Sequence, residues 1–156
     1  MADWDQAVES AGRVLTQDAH NIEALRITAL YHLAHQSKYA LAATRISDTI
    51  EALDRQEPQN AALYYKVSRP LARLSGRQSS VLQLTLSLVD RACKQEPSNC
   101  EYLVEYGYQQ MLMGDLASLQ CIYSACTCKS TIPLDRMTFF LTCGLRCFHR
   151  LELAAP

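Results

Sequence analysis

The chain has 156 residues, of which 49% are hydrophobic and 20% are charged, and its formal net charge at pH 7 is −1. This composition is typical of one globular domain with a sizeable core and excludes a disordered or fibrous chain. The near-zero charge argues against a general nucleic-acid binder.

Neither a secretory signal nor a membrane-spanning segment is expected in this sequence. The first ten residues, MADWDQAVES, lack the basic region and apolar stretch of a secretory signal. The longest apolar run, MTFFLTCGLRCF at 137–148, is too short to cross a bilayer. Seven cysteines are an odd number, so reduced thiols and a cytoplasmic location are expected, with no direct membrane insertion.

In chain order, three predicted helices each run into a similar hexapeptide. The hexapeptides are TQDAHN at 16–21, RQEPQN at 55–60 and KQEPSN at 94–99, spaced 39 residues apart. The apolar positions before them recur at helical spacing. They are Trp4, Ala7, Val8, Ala11, Val14 and Leu15, then Ala43, Ile46, Ile50 and Leu53, then Val81, Leu84, Thr85, Leu88, Val89 and Ala92. The chain therefore contains an internal repeat with a period of 39.

Each hexapeptide predicts the end of one helix and the start of the next. Pro58 and Pro97 follow the last apolar position, where proline prevents the helix from continuing. Asn21, Asn60 and Asn99 suit the N-cap position of the next helix.

A second helix is predicted after each hexapeptide. Small residues recur on these helices at Ala29, Ser68 and Gly107, which would let a neighbouring helix approach closely. The helices should end near 36, 77 and 114, with Gly76 and Gly114 in the left-handed conformation. Ser79 or Ser80 is expected to cap the helix that follows.

These elements predict an all-α fold, a tetratricopeptide-type solenoid of about seven helices in antiparallel pairs. The repeats are assigned to 1–125, and a divergent, Cys-rich tail to 126–156. The chain is expected to open on the second helix of a pair, which would leave the apolar face of residues 4–15 partly uncovered.

No arrangement of residues predicts an enzyme, a cofactor site or a small-molecule substrate. Phosphate-binding loops, nucleophile elbows and convergent carboxylates are absent from the sequence. His32 and His35 lack the intervening glutamate of a metalloprotease helix. The cysteine spacing in the tail fits structural zinc poorly, so no metal is predicted at Cys126, Cys128, Cys143, Cys147 and His149.

The first helix of each pair should line the concave surface, which such solenoids use for binding. Two in-register columns fall there, and they supply the candidate partner-binding residues Arg26, Leu30, Tyr65, Arg69 and Tyr108, with Val104 beside them. Tyrosine and arginine are enriched in interface hot spots. The same residues could instead pack between neighbouring repeats, and that alternative remains open.

Arg69, Arg73 and Arg77 would form a basic stripe if their helix persists, although Pro70 is expected to kink it or end it early. The stripe could be a solvated face or a contact for an acidic partner.

Beyond the repeat pattern, the stretches ALDRQEPQN (52–60), YKVS (65–68) with Gly76-Arg77, and EYGYQ (105–109) are more specific. They resemble the tetratricopeptide repeat protein 21 family, which supplies the large repeat-built subunit of intraflagellar transport complex A. The resemblance implies a non-enzymatic scaffold in retrograde ciliary transport and cilium assembly. It implies other ciliary transport subunits as partners and a place in the cytoplasm and cilium. The chain would be an internal fragment or a shortened isoform.

An alternative function is a chaperone-adaptor repeat domain that binds acidic C-terminal peptides. That mode needs a clamp of lysine, asparagine and arginine on the first helices, and the inner positions of this chain carry no asparagine.

Overall fold

The computed structural model describes residues 4–35 and 37–114, which form six α-helices. The helices are α1 (Trp4–Gln17), α2 (Ile22–Ala34), α3 (Tyr39–Gln56), α4 (Ala61–Leu74), α5 (Ser79–Gln95) and α6 (Cys100–Leu112). Within these residues there is no strand, and no helix is long and apolar enough to cross a membrane. The predicted turns near 36, 58, 77, 97 and 114 all coincide with breaks between helices or with the end of α6.

The helices pack as a helical-repeat solenoid. The two closest pairs are α2 with α3 and α4 with α5, and each is joined by a connection of four residues. Successive pairs then stack, because α2 contacts α4 and α3 contacts α5. At the two ends, α1 packs on α2, and α6 packs on α5 and more lightly on α4. The predicted all-α solenoid is confirmed, and a seventh helix would lie outside the described residues.

The core follows the apolar positions of both helix layers. Its members are almost completely inaccessible to solvent, and they include Leu33, Ile46, Leu53, Tyr64, Val67, Leu71, Val81 and Leu88. The small residues predicted to allow close approach, Ala29, Ser68 and Gly107, are all buried. Large side chains at these positions would hold the layers apart.

The hexapeptides act as predicted at the helix ends. Helix α3 ends at Gln56 and α5 ends at Gln95, two residues before each proline. The side-chain oxygens of Asn21, Asn60 and Asn99 each accept a hydrogen bond of 3.1 Å from a first-turn N–H group of the following helix. Each such cap contributes about 1 kcal/mol.

The glutamine of the hexapeptide forms a hydrogen bond between successive copies, which local sequence does not reveal. Gln56 Nε2 donates to the His20 carbonyl of the preceding hexapeptide at 3.0 Å. Gln95 Nε2 donates to the Pro58 carbonyl at 2.7 Å. The same side chain in successive copies therefore ties each connection to the one before it, which accounts for its recurrence.

Two local expectations were wrong. The early end expected at Pro70 is wrong, because α4 continues to Leu74, four residues past the proline, whereas the alternative, a kink, stays a prediction. Pro70 removes one backbone hydrogen bond, but the last turn buries Leu71 and Ala72, and their burial offsets that loss. The N-cap of α5 is Gln78 rather than Ser79 or Ser80, and its side chain makes no capping bond.

Gly76 and Gly114 adopt positive φ angles of 58° and 87°, as predicted for left-handed helix terminators. At Gly76 the space is also restricted, because an added Cβ would lie 2.8 Å from the Tyr39 hydroxyl. The left-handed conformation costs a residue with a Cβ about 1 kcal/mol or more.

We expect Gly76→Ala to lower the free energy of unfolding by about 1–2 kcal/mol, since it adds backbone strain and a clash with Tyr39. Gly114→Ala is the matched control, because its φ is also positive but no atom of the described residues lies within 4 Å of an added Cβ. Urea denaturation of both variants separates strain from clash, and an equal loss in the two would exclude a contribution from Tyr39.

Candidate interaction surface

The candidate residues lie on α2, α4 and α6, the helices of one layer of the solenoid. Their side chains fall into three groups along this layer. One lies on α2, one joins Tyr65 and Arg69 to α6, and one surrounds Tyr108.

On α2, Arg26 is engaged within its own helix. Its Nε donates to Glu23 Oε2 at 3.0 Å, and a second bond joins its other guanidinium nitrogen to Glu23 Oε1. The hydrogen bond from Arg26 lowers the pKa of Glu23 despite the partial burial of that carboxylate. Leu30 is half-buried and packs on the core. Neither residue contacts the other candidates through a hydrogen bond or ion pair.

Tyr65 and Arg69 come together against the start of α6. The Tyr65 hydroxyl donates to Glu101 Oε1 at 2.8 Å, and Arg69 Nη1 donates to the Tyr65 hydroxyl at 3.3 Å. The Arg69 guanidinium also lies 3.9 Å from Glu101, and the ring of Tyr65 lies 5.0 Å from that of Tyr102. Burial, followed by the hydrogen bond to Glu101, raises the pKa of Tyr65 to about 12. Val104, in register with Tyr65, is half-buried.

Tyr108 belongs to a neighbouring group centred on a buried ion pair. Arg73 binds Glu105 through two hydrogen bonds of 2.7 Å, and its guanidinium lies 3.9 Å from the centre of the Tyr108 ring. The side chain of Glu105 is only 4% exposed, whereas that of Arg73 is 36% exposed. Burial disfavours the charged guanidinium, but the hydrogen bonds and charge of Glu105 outweigh burial and raise the pKa of Arg73.

A hydrogen-bond chain extends this group into the core. Gln109 Nε2 donates to Glu105 Oε1 at 2.9 Å and to Ser68 Oγ at 2.8 Å. Ser68 Oγ in turn donates to the Thr85 carbonyl at 2.8 Å. This chain of hydrogen bonds connects α6 with α4 and α5, so the second repeat (α4 and α5) and the start of the third (α6) are held by polar contacts as well as by apolar packing.

Sequence reasoning singled out Ser68, Tyr65, Arg69 and Tyr108 but missed Glu105 and Gln109. A glutamate 32 residues from its arginine has no local signature. The only available sign was the helical spacing of 105 and 109 on one face. The structure therefore shows Tyr65 and Tyr108 in contacts between repeats, while Arg69, with 55% of its side chain exposed, remains accessible to a partner.

Other predicted features can be located only in part. Among residues 4–35 and 37–114 there is no cluster of three or more His, Cys, Asp or Glu that could hold a metal ion. The ring of His35 stacks on that of Tyr31, with the centroids 5.4 Å apart, and tilts against Trp4. The cysteines and histidine of the 126–156 tail lie outside the described residues.

Comparison with known proteins places the chain in a family. The family model described as "Tetratricopeptide repeat protein 21 second ARM domain" matches residues 44–147. This range reaches into the segment assigned to the tail, and the boundary at residue 125 stays a prediction.

Individual relatives agree with the family match. The chain is 37% identical over 145 residues to tetratricopeptide repeat protein 21B of Mus musculus and 34% identical to that of Homo sapiens. Tetratricopeptide repeat protein 21A of Mus musculus is 35% identical over 106 residues. The two 21B matches cover 93% of this chain but only 11% of the relative, so the chain spans a small part of these proteins. The chain belongs to the tetratricopeptide repeat protein 21 family.

Proposed function

We propose that this chain is a non-enzymatic interaction scaffold that acts within intraflagellar transport complex A. Its role would be in retrograde ciliary transport and cilium assembly, in the cytoplasm and the cilium, with other subunits of that complex as partners. Membership of the tetratricopeptide repeat protein 21 family supports this proposal. Stacked helix pairs also offer a long continuous surface of the kind that repeat proteins use to hold partners.

The observation that carries the interaction role is the accessibility of Arg69 beside Tyr65 on the α2–α4–α6 layer. The arginine lies 5.9 Å from the Tyr65 ring centre and keeps more than half of its side chain exposed. Its contact with Glu101 is long, at 3.9 Å, and exposed ion pairs of this kind contribute about 0–1 kcal/mol. A partner can therefore engage the guanidinium at little cost to the fold.

The chaperone-adaptor alternative has weaker support. A clamp for acidic peptides needs cations that are free to bind carboxylates, but Arg73 already binds Glu105 through two hydrogen bonds of 2.7 Å. An acidic peptide at Arg73 would have to displace a carboxylate that the protein itself supplies.

Replacing Arg69 and Tyr108 together by alanine should weaken the capture of ciliary transport subunits by about 2 kcal/mol, if they are hot spots. The measurement is a pull-down with purified subunits at matched helix content. Arg69→Ala alone is a second variant, because Tyr108 also covers Arg73 and its loss affects packing. Arg13→Ala on α1, whose side chain is 77% exposed, is the control. Equal capture by all four proteins would move the binding surface elsewhere.

A further inference from the structure

A groove opens between α1, α2 and α3, away from the hydrogen-bonded network of α4 and α6. Its volume is about 350 Å³, which lies at the lower end of the range of about 300–1,000 Å³ for ligand pockets. It is lined by Val8, Gly12, Leu15, Thr16, Ala19, Thr28, His32 and Arg45.

The groove exists because the first repeat (α2 and α3) packs differently from the second (α4 and α5). Helix α3 lies against α5, whereas within the described residues α1 packs on α2 without a comparable contact with α3. Helix α1 accordingly buries only Ala11, and Val14 keeps 39% of its surface exposed. Gly12 adds to the open space, since within residues 4–35 and 37–114 no atom lies within 4 Å of a Cβ built there.

The residues at equivalent positions of the two repeats, 39 residues apart, differ in polarity, and this difference explains why apolar packing does not close the groove. Thr28 and His32 correspond, 39 residues on, to Val67 and Leu71, which are almost completely buried. Arg45 corresponds in the same way to Leu84, which packs on the core. The first repeat therefore has polar or cationic groups where the second has aliphatic side chains.

The lining of the groove combines apolar walls with a cation. Among the described residues, Val8, Leu15 and Ala19 supply the apolar walls, Arg45 supplies the cation, and no carboxylate is part of the lining. Arg45 gives one hydrogen bond of 3.3 Å to Asp48, one turn along α3, and both side chains are about two-fifths exposed. A guanidinium has several N–H donors, so Arg45 can also bind a second carboxylate.

We propose that this groove is a docking site for a segment of a partner protein that presents a large apolar side chain next to a carboxylate. The apolar side chain occupies the space above Gly12, and the carboxylate binds Arg45. The site goes beyond the proposed scaffold role, because it names a second surface and the chemistry of its occupant. If the proposed binding at the groove were disproved, the proposal for the Arg69 surface would be unaffected.

The test uses the full chain and two kinds of probe. The first is anilinonaphthalene sulfonate, an apolar ring system that carries an anion. The second is a short peptide of alternating leucine and aspartate, with a matched peptide that has lysine in place of each aspartate. Fluorescence titration gives the affinity of each probe, and sedimentation gives the oligomeric state.

The informative variants are chosen to leave the fold intact. Gly12→Leu fills the groove and replaces glycine by a better helix former, and Arg45→Gln removes the cation together with its contact to Asp48. Arg13→Gln is the matched control, because it removes an exposed arginine with its own glutamate partner, outside the groove.

We expect Arg45→Gln to weaken the affinity for the dye and for the aspartate peptide by about tenfold, as for the loss of one charge-assisted hydrogen bond. Gly12→Leu should weaken both affinities at least as much, and Arg13→Gln should change neither. The proposal would be overturned if the three variants bound these probes with the same affinity, or if the wild type bound the lysine peptide as tightly as the aspartate peptide. Dimerisation of the wild type that Gly12→Leu abolishes would also overturn it, and would make a second copy of the chain the occupant.

Discussion

Replacing Leu71 by alanine is expected to lower the free energy of unfolding by about 3 kcal/mol, within the range of about 2–5 kcal/mol for buried leucines. Leu71 is 0% exposed and belongs to the core cluster, where it lies in the helical turn that follows Pro70. Its removal would leave a cavity at the point where α4 continues despite the proline. Urea denaturation followed by circular dichroism measures the loss.

Leu74→Ala provides the matched control on the same helix. Leu74 lies three residues further along α4 and is 39% exposed, so its truncation should cost less than about 1 kcal/mol. If both substitutions cost the same small amount, α4 ends near Pro70 and its last turn contributes little. If both cost several kcal/mol, Leu74 is covered in solution.

The second large effect is expected at the ion pair between α4 and α6. Removing one partner of a buried pair typically costs about 3–5 kcal/mol, because the other charge is left buried without compensation. Arg73 is 36% exposed, so water can partly replace it. We therefore expect Arg73→Ala to lower the free energy of unfolding by about 2–3 kcal/mol.

A double-mutant cycle distinguishes the ion pair from simple packing. Glu105→Gln keeps the shape of the side chain and removes its charge, so Arg73→Ala should cost much less in the Glu105→Gln background than in the wild type. Additive losses would mean that Arg73 stabilises the chain mainly by covering the Tyr108 ring. The control is Arg91→Ala. Arg91 binds Asp54 through two hydrogen bonds of 3.0 Å, but both side chains of this pair are partly exposed.

Local sequence was sufficient for the six described helices and for most of their ends. Apolar spacing identifies the buried faces, proline follows the ends of α3 and α5, and asparagine caps α2, α4 and α6. Each of these signals acts within a few residues, so it can be read without knowing the neighbouring chain. The 39-residue period then places the helices in successive pairs, because every copy repeats the same stop and start.

The expectation that α4 ends early at Pro70 was wrong for a reason that local sequence does not contain. Whether a helix continues past a proline depends on the free energy gained by its last turn, and Leu71 and Ala72 gain it by packing on other helices. The N-cap of α5 shows the same limit, since Gln78 occupies the position for which the two serines were the better local choice.

The sequence by itself therefore determined the fold class, the repeat and the candidate columns of the α2–α4–α6 layer. Only the tertiary structure decided which of those residues are engaged. It places Tyr65 against Glu101, pairs Arg73 with Glu105, and leaves Arg69 and the groove beside Gly12 accessible. The physical reason is distance along the chain: Tyr65 and Glu101 are 36 residues apart, and such contacts form only when separate repeats stack. Periodicity predicts which face a residue occupies, but the stacking of neighbouring helices decides what it meets there.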